Sequence, residues 1–288
     1  MRSTERIRAP STRKGGHVDV AGHAIAYERR GSGVPLLLIA GTGYPGATWH
    51  PDLLDAVAAR HTVVTFDHRG TGATAASSGR YSTRLFAADA LGLLDALGLE
   101  AAHVVGHSMG GRVAQWMALD RPDRVRSLIL AATGPGQFRS DRPVTRGVPV
   151  HAAVELAEKG YERYMRDHIA ATFFTAEFAR EHPDVVRWLH DAFWQHRPDL
   201  ENYLRHVVAR QEHQTAERIA EIRVPTLIVI GGRDTAVMGT GSHADQSDYL
   251  AEHIPGATRR VIEDAAHGFF WSHPERTDEV LLEWTNSH

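Results

Sequence analysis

The sequence predicts an α/β protein: a mostly parallel central sheet flanked by helices and interrupted by one all-helical insertion. Three observations carry this prediction. Short, continuous apolar runs such as 35–40 (PLLLIA) and 125–132 read as strands buried on both faces, as a parallel sheet requires. Helical patterns follow such runs, at 82–99 and 112–119, so strand and helix alternate. From about Arg139 to Glu221 no convincing strand occurs, and strands then resume on the far side.

Each element has a local reason. Residues 17–29 alternate loosely around Ala21-Gly22-His23, predicting a hairpin that Gly31-Ser32-Gly33 ends. The strand at 35–40 runs into Gly41-Thr42-Gly43-Tyr44-Pro45-Gly46. A helix is expected to start at Pro51-Asp52-Leu53, because proline suits the first helical turn. A strand over 61–66 leads to Asp67-His68-Arg69-Gly70-Thr71-Gly72, a polar turn. Ser82 or Thr83 is placed to cap a helix over 82–99, with Leu85, Phe86, Leu93, Leu94 and Leu97 largely on one face and Gly98 near its end. A strand over 101–105 and a helix over 112–119 flank Gly106-His107-Ser108-Met109-Gly110-Gly111. In the insertion, Pro149, Gly160, Pro183 and Pro198 divide the helices. Strands over 225–230 and 260–263, with helices over 247–253 and 275–284, complete the pattern; His273, before Pro274, reads as a helix-entry residue. The domain reading is a disordered basic tail over 1–16, a core built from 17–138 and 223–288, and a helical segment over 139–222.

Composition narrows the function classes. The chain has 288 residues, 42% hydrophobic and 23% charged, enough for one large domain with an insertion. A formal charge of −3 argues against nucleic acid as a main partner. With no cysteine, disulfides, thiolate metal sites and cysteine nucleophiles are excluded, which fits a reducing cytoplasm. No run approaches the ~20 apolar residues of a membrane span. Arg2, Arg6, Arg8, Arg13 and Lys14 lead into no apolar stretch of a signal peptide. A cytoplasmic protein without membrane attachment is expected. The 19 histidines suggest metal only by number; no H-E-x-x-H spacing occurs, and neither metal nor cofactor is expected.

Two motifs compete for the chemistry. Gly106-x-Ser108-x-Gly110 between strand and helix is the pattern of a nucleophile elbow, a turn that lifts the central side chain clear of the backbone. It also sets Ser108 at a helix N-terminus, where unpaired N–H groups favour negative charge. Gly41-x-Gly43-x-x-Gly46 after a strand, with Asp67 about twenty residues on, spells a dinucleotide fingerprint. Pro45 inside the motif and the late helix start at Pro51 weigh against it. The better reading is a glycine-rich loop whose N–H groups face Ser108.

With these segments in order, nearly the whole chain from His17 resembles the α/β-hydrolase superfamily with a helical cap. It is most similar to esterases, enol-lactonases and cofactor-free haloperoxidases, which share a G-x-S-M-G-G elbow. The closing Ala266-His267-Gly268 and a stretch like Gln115-Trp116-Met117-Ala118 add to the match. The resemblance implies the chain order nucleophile, acid, histidine, met by Ser108, Asp234 and His267. Asp245 and Asp248 are the neighbouring alternatives for the acid, whereas Ala132-Thr133-Gly134 offers no carboxylate at the other position used by relatives. It also implies an oxyanion hole from the N–H groups of Thr42 and Met109. One departure is Ala40-Gly41, where many members carry His-Gly. Tyr44, His107, Phe173, Phe174, Trp188 and Trp194 are candidates to line the substrate pocket. Serine at the elbow argues against haloalkane dehalogenases and epoxide hydrolases, which place aspartate there. The expected activity is hydrolysis of a carboxylic ester or lactone of a small, partly apolar or aromatic molecule through an acyl-enzyme on Ser108. Alternatives are carbon–carbon bond hydrolysis of a diketone-like ring-cleavage product, a non-turnover ligand receptor, and the nucleotide-dependent oxidoreductase. The expected partner is a small molecule, and the sequence leaves monomer and homodimer open.

Overall fold

A computed structural model describes residues 13–138, 146–235, 237–238 and 241–288. Eight strands form one sheet, in the order β1 (Lys14–Val20), β2 (His23–Arg30), β4 (His61–Phe66), β3 (Val34–Ile39), β5 (Ala102–His107), β6 (Val125–Ala131), β7 (Thr226–Gly231) and β10 (Thr258–Ile262). β1 and β2 are antiparallel to their neighbours, and from β4 to β10 every pairing is parallel. A separate two-stranded ladder joins β8 (Val237–Met238) to β9 (Gly241–Ser242).

The apolar runs have no polar face because both faces of the sheet are covered. Successive side chains point to opposite sides of a strand. Leu36, Leu38, Val105 and Ile129 therefore pack on one side, against α1 (Pro51–Ala58) and α11 (Pro274–Ser287). Leu37, Ile39, Val104 and Leu128 pack on the other, against α2 (Thr83–Ala96), α3 (Met109–Asp120) and α9 (His243–His253). Ser82 caps α2 by accepting the Leu85 N–H at 3.0 Å.

The chain runs from β3 to β4 in one direction along the sheet and returns to β5 in the other. Where strand order reverses, the connections leave the C-terminal ends of β3 and β5 on opposite sides and open a crevice between them. Gly41-Thr42-Gly43 leaves β3 there, and Ser108 leaves β5. Five helices, α4 (Val150–Lys159), α5 (Tyr161–His168), α6 (Ala176–Glu181), α7 (Pro183–His196) and α8 (Leu200–Gln211), lie between β6 and β7 in the sequence. A π-helical turn, Ile169–Phe173, follows α5. Among the described residues no helix is long and apolar enough to cross a membrane.

Three expectations are corrected. The predicted tail, 1–16, overlaps β1: Lys14, Gly15 and Gly16 pair with Arg29, Glu28 and Tyr27. A sheet edge is held through backbone bonds, so it forms without the side-chain alternation that marks a strand; residues 1–12 lie outside the described residues. The helix after the elbow starts at Met109, three residues earlier than its apolar pattern. α9 starts at His243, where Ser242 and Asp245 form a capping box, and the four-residue α10 (Phe269–Ser272) is too short to carry a periodic signal.

α8 joins the helical segment to the sheet-end loops. His206 Nε2–H donates to the Arg69 carbonyl at 2.8 Å, and the His68 and His206 ring centroids lie 6.0 Å apart. Burial pulls the His68 pKa down to about 3, helped by His206, and the His206 pKa to about 4. Both rings stay neutral in the folded protein when unfolded histidines, titrating near 6.5, take up protons. Their contribution is full above about pH 6.5 and falls as pH drops toward 4, by about 1.4 kcal/mol per pH unit for each ring. The thermal midpoint should fall over that interval, and the His206→Gln variant should show a shallower dependence in calorimetric scans at stepped pH.

Candidate active site

At the end of β5, Ser108 adopts φ 55° and ψ −116°, a conformation that L-residues rarely populate. Strain of this kind typically costs about 1–3 kcal/mol and persists only where the surroundings enforce it. Here the Ser108 N–H donates to the Ala131 carbonyl at 2.9 Å, and its carbonyl accepts from Thr133 Oγ1 at 2.6 Å and from the Gly111 N–H at 3.1 Å. The flanking glycines are steric requirements: a Cβ on Gly106 would strike the Gly110 carbonyl, and one on Gly110 would strike the Ile39 carbonyl. Gly110→Ala should lose at least the roughly 1–3 kcal/mol of an overpacked core, read as a lower urea midpoint. The β3 loop closes on the same turn, since a Cβ at Gly41 would lie 3.4 Å from the Ser108 Cβ. Neither Thr42 nor Met109 commits its N–H to another group among the described residues.

The loops after β7 and β10 bring a carboxylate to an imidazole. They are tied together by Gly232 N–H to the Ile262 carbonyl at 2.9 Å and Arg233 N–H to the Ala265 carbonyl at 2.8 Å. Asp234 Oδ2 accepts from His267 Nδ1 at 2.8 Å, with both groups buried. A carboxylate can only accept, so Nδ1 holds the proton and Nε2 remains as the basic nitrogen. His243, the first residue of α9, lies on the other side: its Nδ1 is 3.1 and 3.2 Å from the two Asp234 oxygens, and its ring stacks on His267 at 4.6 Å. Burial alone would raise the Asp234 pKa, but His267 and His243 together overcome it and hold the carboxyl well below the usual range. Asp234, His243 and His267 bring three donor atoms within 4.8 Å, a spacing that would also suit a cation. Two N–H···O bonds to one carboxylate are enough to produce it. The rival acids are committed elsewhere, Asp245 to the α9 cap and Asp248 to Arg259 at 2.9 Å.

Ser108, Thr42 and His267 open onto one cavity of about 380 Å³, roofed by α4, α5 and α8. Of the expected lining residues, Tyr44 and Phe173 are there; Phe173 sets its ring edge-on to His267 at 5.3 Å, and its carbonyl accepts the Gly268 N–H at 2.8 Å. Four others are corrections. His107 is buried below the cavity and donates from Nε2 to the His267 carbonyl at 3.0 Å, so it supports the histidine loop. Phe174 turns away to stack on Phe178, Trp188 packs against His50, and Trp194 lies between Tyr161 and Arg197. Helical spacing alone does not say which side of a covering segment faces inward.

The dinucleotide pattern has a different structural purpose. Asp67 Oδ1 accepts the Gly46 N–H at 2.7 Å and Oδ2 the Ala73 N–H at 2.8 Å, so both oxygens brace loops. Gly46 opens only a three-residue 3-10 turn, with no helix N-terminus to hold a pyrophosphate.

The sequence profile of the α/β hydrolase fold family matches residues 34–274. The chain belongs to the α/β hydrolase fold family. It is 42% identical over 267 residues to a Mycobacterium tuberculosis protein assigned by name as a non-heme bromoperoxidase, BpoC, covering 90% of this chain and 97% of that one. It is 34% identical over 256 residues to an Azorhizobium caulinodans protein assigned by name as a carbamate hydrolase, RutD, covering 89% and 92%. Among solved structures, the enol-lactonase from Burkholderia xenovorans superposes with a TM-score of 0.81 at 24% identity, covering 94% and 100%. This α/β hydrolase therefore shares fold and near-full length with its relatives, which place it among hydrolases of that fold.

Sequence reasoning missed His243 and Arg210. Nothing in the spacing marks His243 among so many histidines. Arg210 did leave a signal: Tyr203, Val207 and Arg210 recur at the spacing of one face of α8, and all three line the cavity.

Proposed function

We propose that this α/β hydrolase cleaves a carboxylic ester or lactone of a small, partly apolar or aromatic molecule through an acyl-enzyme on Ser108. The observation that carries the reading is the buried Asp234–His267 hydrogen bond in the wall of the cavity that contains Ser108. His267 Nε2 takes the Ser108 proton as Oγ attacks the carbonyl, and Asp234 holds the imidazole in that tautomer and stabilises its positive charge. The N–H groups of Thr42 and Met109 receive the developing oxyanion, each worth roughly 3–4 kcal/mol by comparison with other serine hydrolases. His267 then passes the proton to the leaving group and activates water to release the acid.

A panel of p-nitrophenyl acetate, butyrate and longer esters, with five- and six-membered lactones, tests this reading. Sustained turnover with a preference for short acyl chains is expected, because about 380 Å³ is near the small end of ligand pockets. A carbamate, the bond named for the Azorhizobium relative, offers Ser108 a similar carbonyl and belongs in the panel. A folded protein that turns over no ester or lactone would refute the assignment.

A further inference from the structure

Resting on that reading, we infer that the substrate carries a carboxylate that pairs with Arg210 while its scissile carbonyl lies over Ser108. Arg210, in the last turn of α8, shares the cavity with Ser108 and His267. Its Nε is buried without a hydrogen-bond partner, and among the described residues its guanidinium makes no ion pair. Arg210 is half-buried and lines the cavity. Its polar neighbours are the phenols of Tyr164 and Tyr203, His168, and a second cation, Arg112. Among the described residues Arg112 has no carboxylate partner either: it donates to the Arg210 carbonyl at 2.6 Å and to Gln246 Oε1 at 3.3 Å. The acidic groups lining the cavity, Glu155 and Asp167, lie 3.4 and 3.2 Å from Lys159 and pair with it.

Among the described residues neither the buried Arg112 nor the half-buried Arg210 has a counter-ion; such charge is costly, and a ligand that supplies the missing negative charge recovers that cost on binding. The planar fork of arginine matches a carboxylate in a bidentate geometry. Tyr164 and Tyr203, the electrostatic neighbours of Arg210, add hydroxyls to the same cavity. Ser108 and its glycine loop line the same cavity, so an acid-bearing acyl group can meet a charged group and a reacting group there.

The test uses two esters matched in length, mono-p-nitrophenyl glutarate and p-nitrophenyl valerate. Wild type should prefer the glutarate ester in kcat/KM by about tenfold to a hundredfold, the worth of a charge-assisted hydrogen bond. Arg210→Gln should bring the ratio near one, and Arg210→Lys should keep part of it. Equal or better use of valerate by wild type, or a ratio unchanged in Arg210→Gln, overturns the inference. Fluorophosphonate labelling separates the two readings: a labelled enzyme that favours valerate removes only the carboxylate. Calorimetric titration with free glutarate decides the inference without turnover. Binding weakened at least tenfold in Arg210→Gln supports it, and no binding to wild type overturns it.

Discussion

Replacing Ser108 by alanine should lower kcat toward a short ester by roughly 10⁶-fold, with KM little changed. The size of the effect follows from the division of labour at the site. On the proposed mechanism, removing Oγ deletes the atom to be acylated, and nothing else at the elbow can replace it. On the same mechanism the N–H groups at Thr42 and Met109 would remain to polarise a bound carbonyl for direct attack by water. The fold should tolerate the change, because the bonds that hold Ser108 in its strained conformation use its backbone N–H and carbonyl. Alanine bears the same Cβ and adds no strain. Steady-state kinetics with a thermal melt checks both halves. A loss of activity accompanied by unfolding would point to a structural serine instead.

Asp234→Asn should lower kcat by about 10⁴-fold, again with little effect on KM. An amide can present N–H to His267 Nδ1 and so favour the tautomer with its proton on Nε2, where the base is required. This site adds a feature: the same carboxylate also accepts from His243, so the asparagine oxygen can still serve that ring while its nitrogen faces His267. The change also bears on stability. A carboxyl held below its usual range stabilises the fold above the unfolded pKa of about 4 and loses that contribution as pH falls through the lower folded value. The melting advantage of wild type over Asp234→Asn should therefore shrink below about pH 4. Near wild-type rates in the variant would move the acid elsewhere.

Much of this architecture was legible in the residues because steric rules are local. Gly106 and Gly110 announce the elbow because no side chain fits there, and continuous apolar runs announce a sheet covered on both faces. The order of Ser108, Asp234 and His267 was readable because each follows a strand at the same end of the sheet. The cavity was not readable. Whether Trp194 or Arg210 faces inward depends on the rotation of α7 and α8 against the loops, which is a tertiary property. His107 misled because adjacency in sequence to Ser108 places it one side chain further round the turn, beneath the site. The glycine loop was ambiguous in letters alone, and the structure resolves it through Asp67, whose oxygens hold loop N–H groups.

The central claim is that Ser108 is a nucleophile activated by His267, and covalent labelling tests it most directly. Wild-type protein treated with a fluorophosphonate should gain one adduct per chain, located by peptide mass spectrometry on Ser108 and lost in Ser108→Ala. A folded protein that stays unlabelled, or one labelled at another residue, would contradict it.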